Sequence, residues 1–493
     1  MNIQIQVIID GNESTRRDIA QIERGSLSAD TLGLQLSEAK KLLAATQSFL
    51  VEAQASEHLS GFERCSACRR AMRRKGHHSL VVRSLFGTLK LSSPRLYHCA
   101  CDIEHQRRGS SFSPLAQQLP DRTLPERLYL ESKWASLMSY GLTTRLLEDT
   151  LPLEGKVHVN SVRNHAHRIA GRLEKELLVD PKSYRIEAEK WPQNNIPPPK
   201  PRITVGLDGG YIRARDAPSP REGWFEAITG KSTVEEGGSK CFAFVQRIDR
   251  HAEARMCRIF KDQGMVFHQP VTFVSDGGET VRGWPCRLHP GAEHVLDWFH
   301  ITMRFTVLQQ MAKSITIPDT DGRELAEEPA KLLTSAKWFV WHGNVHRALE
   351  RLDELVNLIE HDERIPEGPE RRKLARTLNE LYNYIDSNRN LIPDYGDRRR
   401  HGEAIASSVA ESTVNQVISH RFVKKQQMRW QPENAHLLLQ LRTSTLNNDL
   451  RATFERWHPG LTPTSAPRFC IVSVEAVLGR MLSGLRITMT CPN

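Results

Sequence analysis

The stretches 203-ITVGLDGGYIR-213 and 271-VTFVSDGG-278 decide how this chain folds. Each is a short apolar run that reaches an aspartate followed by two glycines. A run of that length, rich in β-branched residues, reads as a buried strand. A carboxylate at the end of a buried strand is costly unless it is paired or binds a cation. The glycines let backbone and carboxylate approach a ligand closely. Taken alone, either aspartate is the ordinary residue of a strand-ending turn. Together, Asp208 and Asp276 in one strand series point to a shared metal site.

Outward from these strands the pattern stays α/β. WFEAITGKS and KCFAFVQRID read as two more strands, HAEARMCRIFKDQ as a helix and AEHVLDWFHI as a fifth strand. Three consecutive strands, a helix and further strands is the order of a ribonuclease-H-like core. Residues 302–400 break the alternation and predict helices, with stripes at Leu349, Leu352, Val356 and Ile359 and at Leu374, Leu378, Leu381 and Ile385. Ahead of the core, 191-WPQNNIPPPKP-201 is a proline-rich extended connector.

The predicted organisation is multidomain α/β. Residues 1–60 form an N-terminal helical segment after a strand-like start, with Leu42, Leu43, Phe49, Leu50 and Val51 on one helix face. Residues 61–110 form a zinc-ribbon-like β-hairpin, and 111–182 a helical, helix-turn-helix-like domain with Leu137, Leu142, Leu146 and Leu147 in its core and Asn160 capping its last helix. A linker follows over 183–202. Residues 203–301 carry the α/β pattern, 302–402 are helical, 403–460 begin with another helix, and the tail 461–493 has no assignable pattern.

Composition narrows the function. With 39% hydrophobic and 26% charged residues, the chain of 493 residues is too apolar for wholesale disorder. No run approaches the length of a transmembrane helix, and MNIQIQVIIDGNESTRR lacks the basic head and apolar stretch of a secretory signal. The net charge, 68 − 58 = +10, favours a polyanionic partner.

Four of the nine cysteines fall in one pattern, Cys65-x-x-Cys68 and Cys99-x-Cys101. Two cysteines at a turn and two at the end of a hairpin can converge on one tetrahedral zinc, and a closed four-thiolate shell makes the site structural. Reduced buried thiols are the alternative. Beside them Arg69, Arg70, Arg73, Arg74 and Lys75 suit phosphate contacts. The second helix of the pair 134–178 presents Ser161, Arg163, Asn164 and His167, donors and acceptors that suit phosphates and base edges. An ordinary three-helix packing unit would carry the same pattern.

Two-metal phosphoryl transfer needs a third carboxylate. Glu411, in SSVAESTVNQVISHRF, is the best placed, with Glu403 as the nearest alternative. Lys424, Lys425 and Arg429 fit phosphate contacts, and Trp430 is either a base-stacking ring or a core residue.

These motifs together resemble the DDE transposases of bacterial insertion sequences, in particular the ISKra family, which is related to the Mutator-like group. GLDGGYIR, FVSDGGETVR, HVLDWFHITMR and VNQVISHRFVKKQQMRW carry the resemblance, which covers most of residues 61–455. Asp297-Trp298-Phe299-His300 looks like the C/D-x-x-H signature of the Mutator-like group. The resemblance implies one ribonuclease-H-like catalytic core over 203–301 and 403–460, interrupted by an all-α insertion over 302–402, with Asp208, Asp276 and Glu411 as a catalytic triad holding two Mg²⁺ or Mn²⁺ ions. It implies Asp297 and His300 as supporting residues, with His300 at the scissile phosphate. The expected activity is metal-dependent cleavage of insertion-sequence ends and transfer of the strand to target DNA, by at least a dimer, in the bacterial cytoplasm at the nucleoid. A DNA-binding regulator with an inactive core, or a nuclease that cuts without joining, are the competing expectations.

Overall fold

A computed structural model describes residues 1–9, 11–101, 110–153, 155–177, 202–216, 223–235, 237–265, 269–289, 291–313, 327–363, 365–406, 412–422 and 428–461. The proline-rich connector and the tail after Leu461 lie outside these residues. The chain divides into two compact units, Met1–Ala166 with the stretch from Leu450, and His167–Asp449. Its secondary structure is mixed α/β. No helix among the described residues is long and apolar enough to cross a membrane.

In the first unit, β1 (Asn2–Ile9) and β2 (Asn12–Glu23) form an antiparallel hairpin where the sequence promised only a short strand-like start. Helix α1 (Leu36–Ser60) follows, opened by a capping box between Gln35 and Glu38. Strands β3 (Arg74–Ser84) and β4 (Gly87–Tyr97) pair antiparallel, with β5 (Ser111–Phe112) added to β4. Their inner face, Leu80, Val82, Leu89 and Leu91, is covered by Val51, Ala55 and Leu59 of α1 and by Leu115 of α2 (Pro114–Gln118). That spacing of four sets which side of α1 is buried. Phe49 is buried on another side of the helix, with the Arg17 guanidinium 5.7 Å from its ring, and Leu43 and Leu50 are exposed, against the predicted stripe.

The helices α3 (Pro125–Leu137), α4 (Tyr140–Thr150) and α5 (Val159–Leu177) correct a second expectation. Of the four predicted core leucines only Leu147 is buried; Leu137 and Leu142 are exposed and Leu146 is half-buried. Thr143 and Thr144 take the inner positions instead. Their hydroxyls donate to the carbonyls of Ser139 (3.0 Å) and Gly141 (2.8 Å), so burial leaves neither unsatisfied. Asn160 lies inside the first turn of α5 rather than at its cap. Buried Glu131 accepts from Arg127 Nε (2.8 Å) and sits 2.5 Å from His165 Nδ1, tying α5 to α3.

The second unit is built on a five-stranded sheet ordered β10-β9-β6-β7-β8. Strands β6 (Ile203–Arg213), β7 (Trp224–Val234) and β8 (Ser239–Val245) form an antiparallel meander. Helix α6 (Ala252–Asp262) then leads to β9 (Val271–Ser275), which pairs parallel to β6. Short helices α7 (Glu279–Arg282) and α8 (Trp284–Leu288) lead to β10 (Glu293–Leu296), parallel to β9.

Alternation along the strands separates two cores. Ile203, Val205, Leu207 and Phe273 point to one face and pack with Met256 and Phe260 of α6. Val274 and Val295 point to the other, against Ile301, Phe305 and Leu308 of α9 (Trp298–Ala312). Behind α9 lie α10 (Glu327–Trp341), α11 (Val345–His361) and α12 (Pro369–Ser387). Leu374, Leu378, Leu381 and Ile385 are all buried there, as are Leu352 and Ile359, with Leu349 and Val356 partly so. After α13 (Tyr395–Arg400) and a π-helical stretch over Asn415–Ser419, α14 (Pro432–Leu446) lies along β8, its Gln440 Nε2 donating to the Ala243 carbonyl at 2.9 Å. Helix α15 (Asp449–Trp457) closes the described chain.

Candidate functional site

The last parallel pairs are Leu207 with Ser275 and Ser275 with Leu296. The next residue on each strand is an aspartate: Asp208, Asp276 and Asp297. Three carboxylates therefore leave neighbouring strands at one level, with backbones about 4.8 Å apart per strand step. The carboxyl ends of parallel strands, where pairing stops, are where open α/β sheets bind ligands.

Each aspartate is held differently. Asp276 Oδ1 accepts from Gly278 N at 2.9 Å. Between them Gly277 has φ +73°, and a Cβ there would run into Asn388 and Leu296, so the turn requires glycine. Asp297 is fully buried and caps α9 by accepting from Phe299 N at 2.8 Å. His300 Nε2, one turn on, stands 3.8 Å from its other oxygen.

Burial pushes the Asp208 carboxyl up to about 6; Asp276 and Asp297 push the same way, and His300 opposes them. A carboxyl whose folded value exceeds its ordinary 3.8 destabilises the fold as pH rises between those two values, and the penalty persists above. We therefore expect metal-free Asp208→Asn to be more stable than wild type at neutral pH, by at most about 3 kcal/mol, and to match it below the ordinary carboxylate value. Thermal melting across pH in a chelating buffer checks this; a lower melting temperature for Asp208→Asn at neutral pH would show that the carboxylate is structural.

Glu411 lies outside the described residues. The residues just after it pack on the site's strand: a Cβ on Gly210 would meet the side chains of Ile418 and Val414. Gly210 and Asp208 share one face of β6. Glu403, the alternative, is paired with Arg202 (2.5 Å) and Arg398 (3.4 Å). Arg202 precedes β6 and Arg398 also pairs with Glu293 at the start of β10, so Glu403 is held at the amino ends of the parallel strands. Five residues of strand, roughly 16 Å, separate that end from Asp208.

Of the other expected DNA contacts, Lys424 and Lys425 lie outside the described residues and Arg429 is exposed. Trp430 is corrected. It is buried, its ring edge-on to Phe422 at 4.9 Å, because its backbone pairs with Arg213 and Arg215 beyond the end of β6. It is a core residue, with no free face for a base. On α5, Arg163 and Asn164 are exposed and His167 is half-buried.

Several residues near the aspartates were invisible to sequence reading. The Tyr384 hydroxyl of α12 donates to the Asp276 carbonyl at 2.9 Å, and Asn388 Nδ2 donates to the Tyr384 carbonyl at 2.8 Å. Ser275 Oγ and His294 Nε2 lie 2.8 Å apart, with the imidazole held down at about 4, chiefly by burial. Glu226 of β7 lies against Gly209 and accepts from Thr280 Oγ1 at 3.0 Å. No local signal marks them, since the Tyr384, Ser275 and Glu226 contacts join residues 108, 19 and 54 positions apart. Tyr384→Phe removes one buried hydrogen bond, and a loss of about 1 kcal/mol is expected. Chemical denaturation measures it; an unchanged midpoint would mean the hydroxyl does not hold the turn.

The four cysteines converge. All their sulfur atoms lie within 4.8 Å of one another, with Cys65 and Cys101 at 3.3 Å and Cys68 and Cys99 at 3.5 Å. The turn is closed by Arg69 N to the Cys65 carbonyl and Cys65 N to the Arg70 carbonyl, both 2.9 Å, with Arg69 left-handed at φ 61°. Backbone hydrogen bonding from Cys68 leads the effects that lower the Cys65 thiol to about 6, whereas hydrogen bonding with Cys65 leads those that raise Cys101 to about 12. Such a sulfur set fits a structural metal such as zinc. Arg69, Arg70, Arg73, Arg74 and Lys75 are all exposed beside it, and Arg73 and Lys75 lie over the Tyr97 ring at 5.3 and 5.6 Å.

No protein-family model matches this chain, and no curated protein is significantly similar to it. The functional reading therefore rests on the site. Its carboxylates suit hard divalent cations, and among the described residues the only compact metal-ligand group is the sulfur cluster.

Proposed function

We propose that this chain is a DDE transposase that binds insertion-sequence ends, cleaves a DNA strand and transfers it. The observation that carries the reading is the level row of Asp208, Asp276 and Asp297 on three adjacent strands of a sheet ordered β10-β9-β6-β7-β8. That order, a meander followed by two parallel strands, supports the ribonuclease-H-like reading.

Asp208, Asp276 and Glu411 would hold Mg²⁺ or Mn²⁺. By sequence, Glu411 precedes Val414, which packs at Gly210, by three residues, the spacing of neighbours on a helix surface. The chemistry such ions would supply there is activation of an attacking hydroxyl and stabilisation of the leaving oxygen. The chain supplies the rest. The Gly277 turn presents Asp276, the buried Asp297 carboxylate orients His300, and His300, half-exposed, can donate to a phosphate oxygen. The Cys65–Cys101 zinc ribbon and its five cations, together with Arg163, Asn164 and His167 on α5, would read and grip the DNA. Synapsis of two ends calls for at least a dimer, in the bacterial cytoplasm.

The test uses a labelled duplex made from the DNA flanking the gene, in Mg²⁺ or Mn²⁺. Cleaved ends that reappear joined to a second duplex support the proposal. Binding without cutting would favour the regulator, and cutting without joining a nuclease.

A further inference from the structure

A cleft of about 700 Å³ opens beside Asp276, between α7, α9 and the end of α12, and its cationic groups are not used by the metal-holding carboxylates. His300 and Arg304 line it from one face of α9, four residues apart, and Arg282 lines it from α7. The Arg304 guanidinium lies 4.1 Å from the centre of the Tyr384 ring, the same tyrosine that holds the Asp276 carbonyl. Arg282 Nη2 donates to Asn388 Oδ1.

Both arginines are exposed, and neither pairs with a carboxylate among the described residues. Glu279 and Glu380 share the rim, but Glu380 stands 3.6 Å from Arg376. Each guanidinium is thus oriented by a neutral partner, an aromatic face or an amide oxygen. That leaves most of its forked donors free, with Asp276, Glu279 and Glu380 on the same cleft but in no ion pair with either arginine. Phosphate oxygens are the ligand such an arrangement suits, because the planar fork matches their geometry.

We propose that this cleft is a phosphodiester subsite, in which Arg282 and Arg304 hold a DNA backbone phosphate next to the one positioned at Asp276. The assignment rests on the transposase reading and extends it to residues outside its motifs. It also gives the helical insertion a role: Tyr384 and Asn388 hold both the Asp276 turn and the two arginines, so a phosphate in the cleft is registered against the carboxylates through one pair of side chains.

The experiment is equilibrium binding of the full chain to a fluorescently labelled duplex, titrated with salt. Arg282→Gln and Arg304→Gln are each expected to reduce the slope of log affinity against log salt, and the double variant to reduce it by about 0.9, the contribution of the one phosphate they share. Arg304→Lys should keep the slope, and so should Arg351→Ala, a half-exposed arginine of α11 paired with Glu354. Melting curves confirm that each variant is folded; should Arg282→Gln not fold, Arg304→Gln alone decides. An unchanged slope in folded variants overturns the subsite. Wild-type cleavage is scored separately. Cleavage with unchanged slopes removes the subsite and leaves the transposase, whereas reduced slopes without wild-type cleavage keep the subsite and remove the transposase.

Discussion

Asp276→Asn is expected to bind DNA as wild type does and to lose strand cleavage by on the order of a thousandfold or more, the scale seen when a preorganised charge-stabilising group is removed. Asparagine is nearly isosteric and keeps an oxygen that can accept from Gly278 N, now at 2.9 Å, so the turn should survive. What disappears is the negative charge. Asp208→Asn and Glu411→Gln should behave alike, whereas Asp297→Asn retains the cap on α9 and should lose less. Product yield from an end-labelled duplex, with binding measured in parallel, reads the result. Cleavage by Asp276→Asn within tenfold of wild type would remove the carboxylate mechanism, and continued cleavage by Glu411→Gln would mean that another group completes the site.

The second large effect concerns the sulfur cluster. Protein purified under reducing conditions should carry one zinc per chain, and Cys65→Ser with Cys99→Ser should carry none. Structural zinc contributes on the order of 10 kcal/mol of binding free energy that is also folding free energy. Its loss should be local. The Leu80–Leu91 end of the β3–β4 hairpin has its own apolar cover from Val51, Ala55, Leu59 and Leu115. Only the turn at Cys65–Arg70 and the strand ends near Tyr97 depend on the metal for closure. Hydrogen exchange should therefore rise there and stay slow across Leu80, Val82, Leu89 and Leu91. Metal analysis that finds no zinc, with all four thiols open to titration, would sink the assignment.

How much of this was legible beforehand varies by element. The first four strands of the sheet were, because buried runs such as ITVGL and VTFVS have few alternatives; the fifth, read over AEHVLDWFHI, ends at Leu296, and from Trp298 the chain is helix α9. So were the insertion stripes: Leu374, Leu378, Leu381 and Ile385 repeat at the helical period and are all buried. Leu43, Leu50, Leu137 and Leu142 misled because hydrophobicity marks a helix face without saying whether a partner covers it. Thr143 and Thr144 won inner positions through hydroxyl bonds to their own helix. Trp430 could not be assigned from its neighbours, since its burial follows from pairing with β6 more than two hundred positions earlier.

By itself the sequence determined which residue types the chemistry can draw on: aspartates at strand ends before paired glycines, two cysteines at a turn with two more at the end of a hairpin, and an aspartate three residues before a histidine. Those are local properties, set by neighbours within a few positions, so period and spacing reveal them. The tertiary structure alone decided that Asp208, Asp276 and Asp297 stand at one level, because that depends on the register between strands. It placed Glu403 at the wrong end of those strands, and it brought Tyr384 and Asn388 from a separate helix onto the Asp276 turn. Register and docking are settled by the burial of whole faces against each other, an energy summed over many distant residues that no short stretch of chain carries.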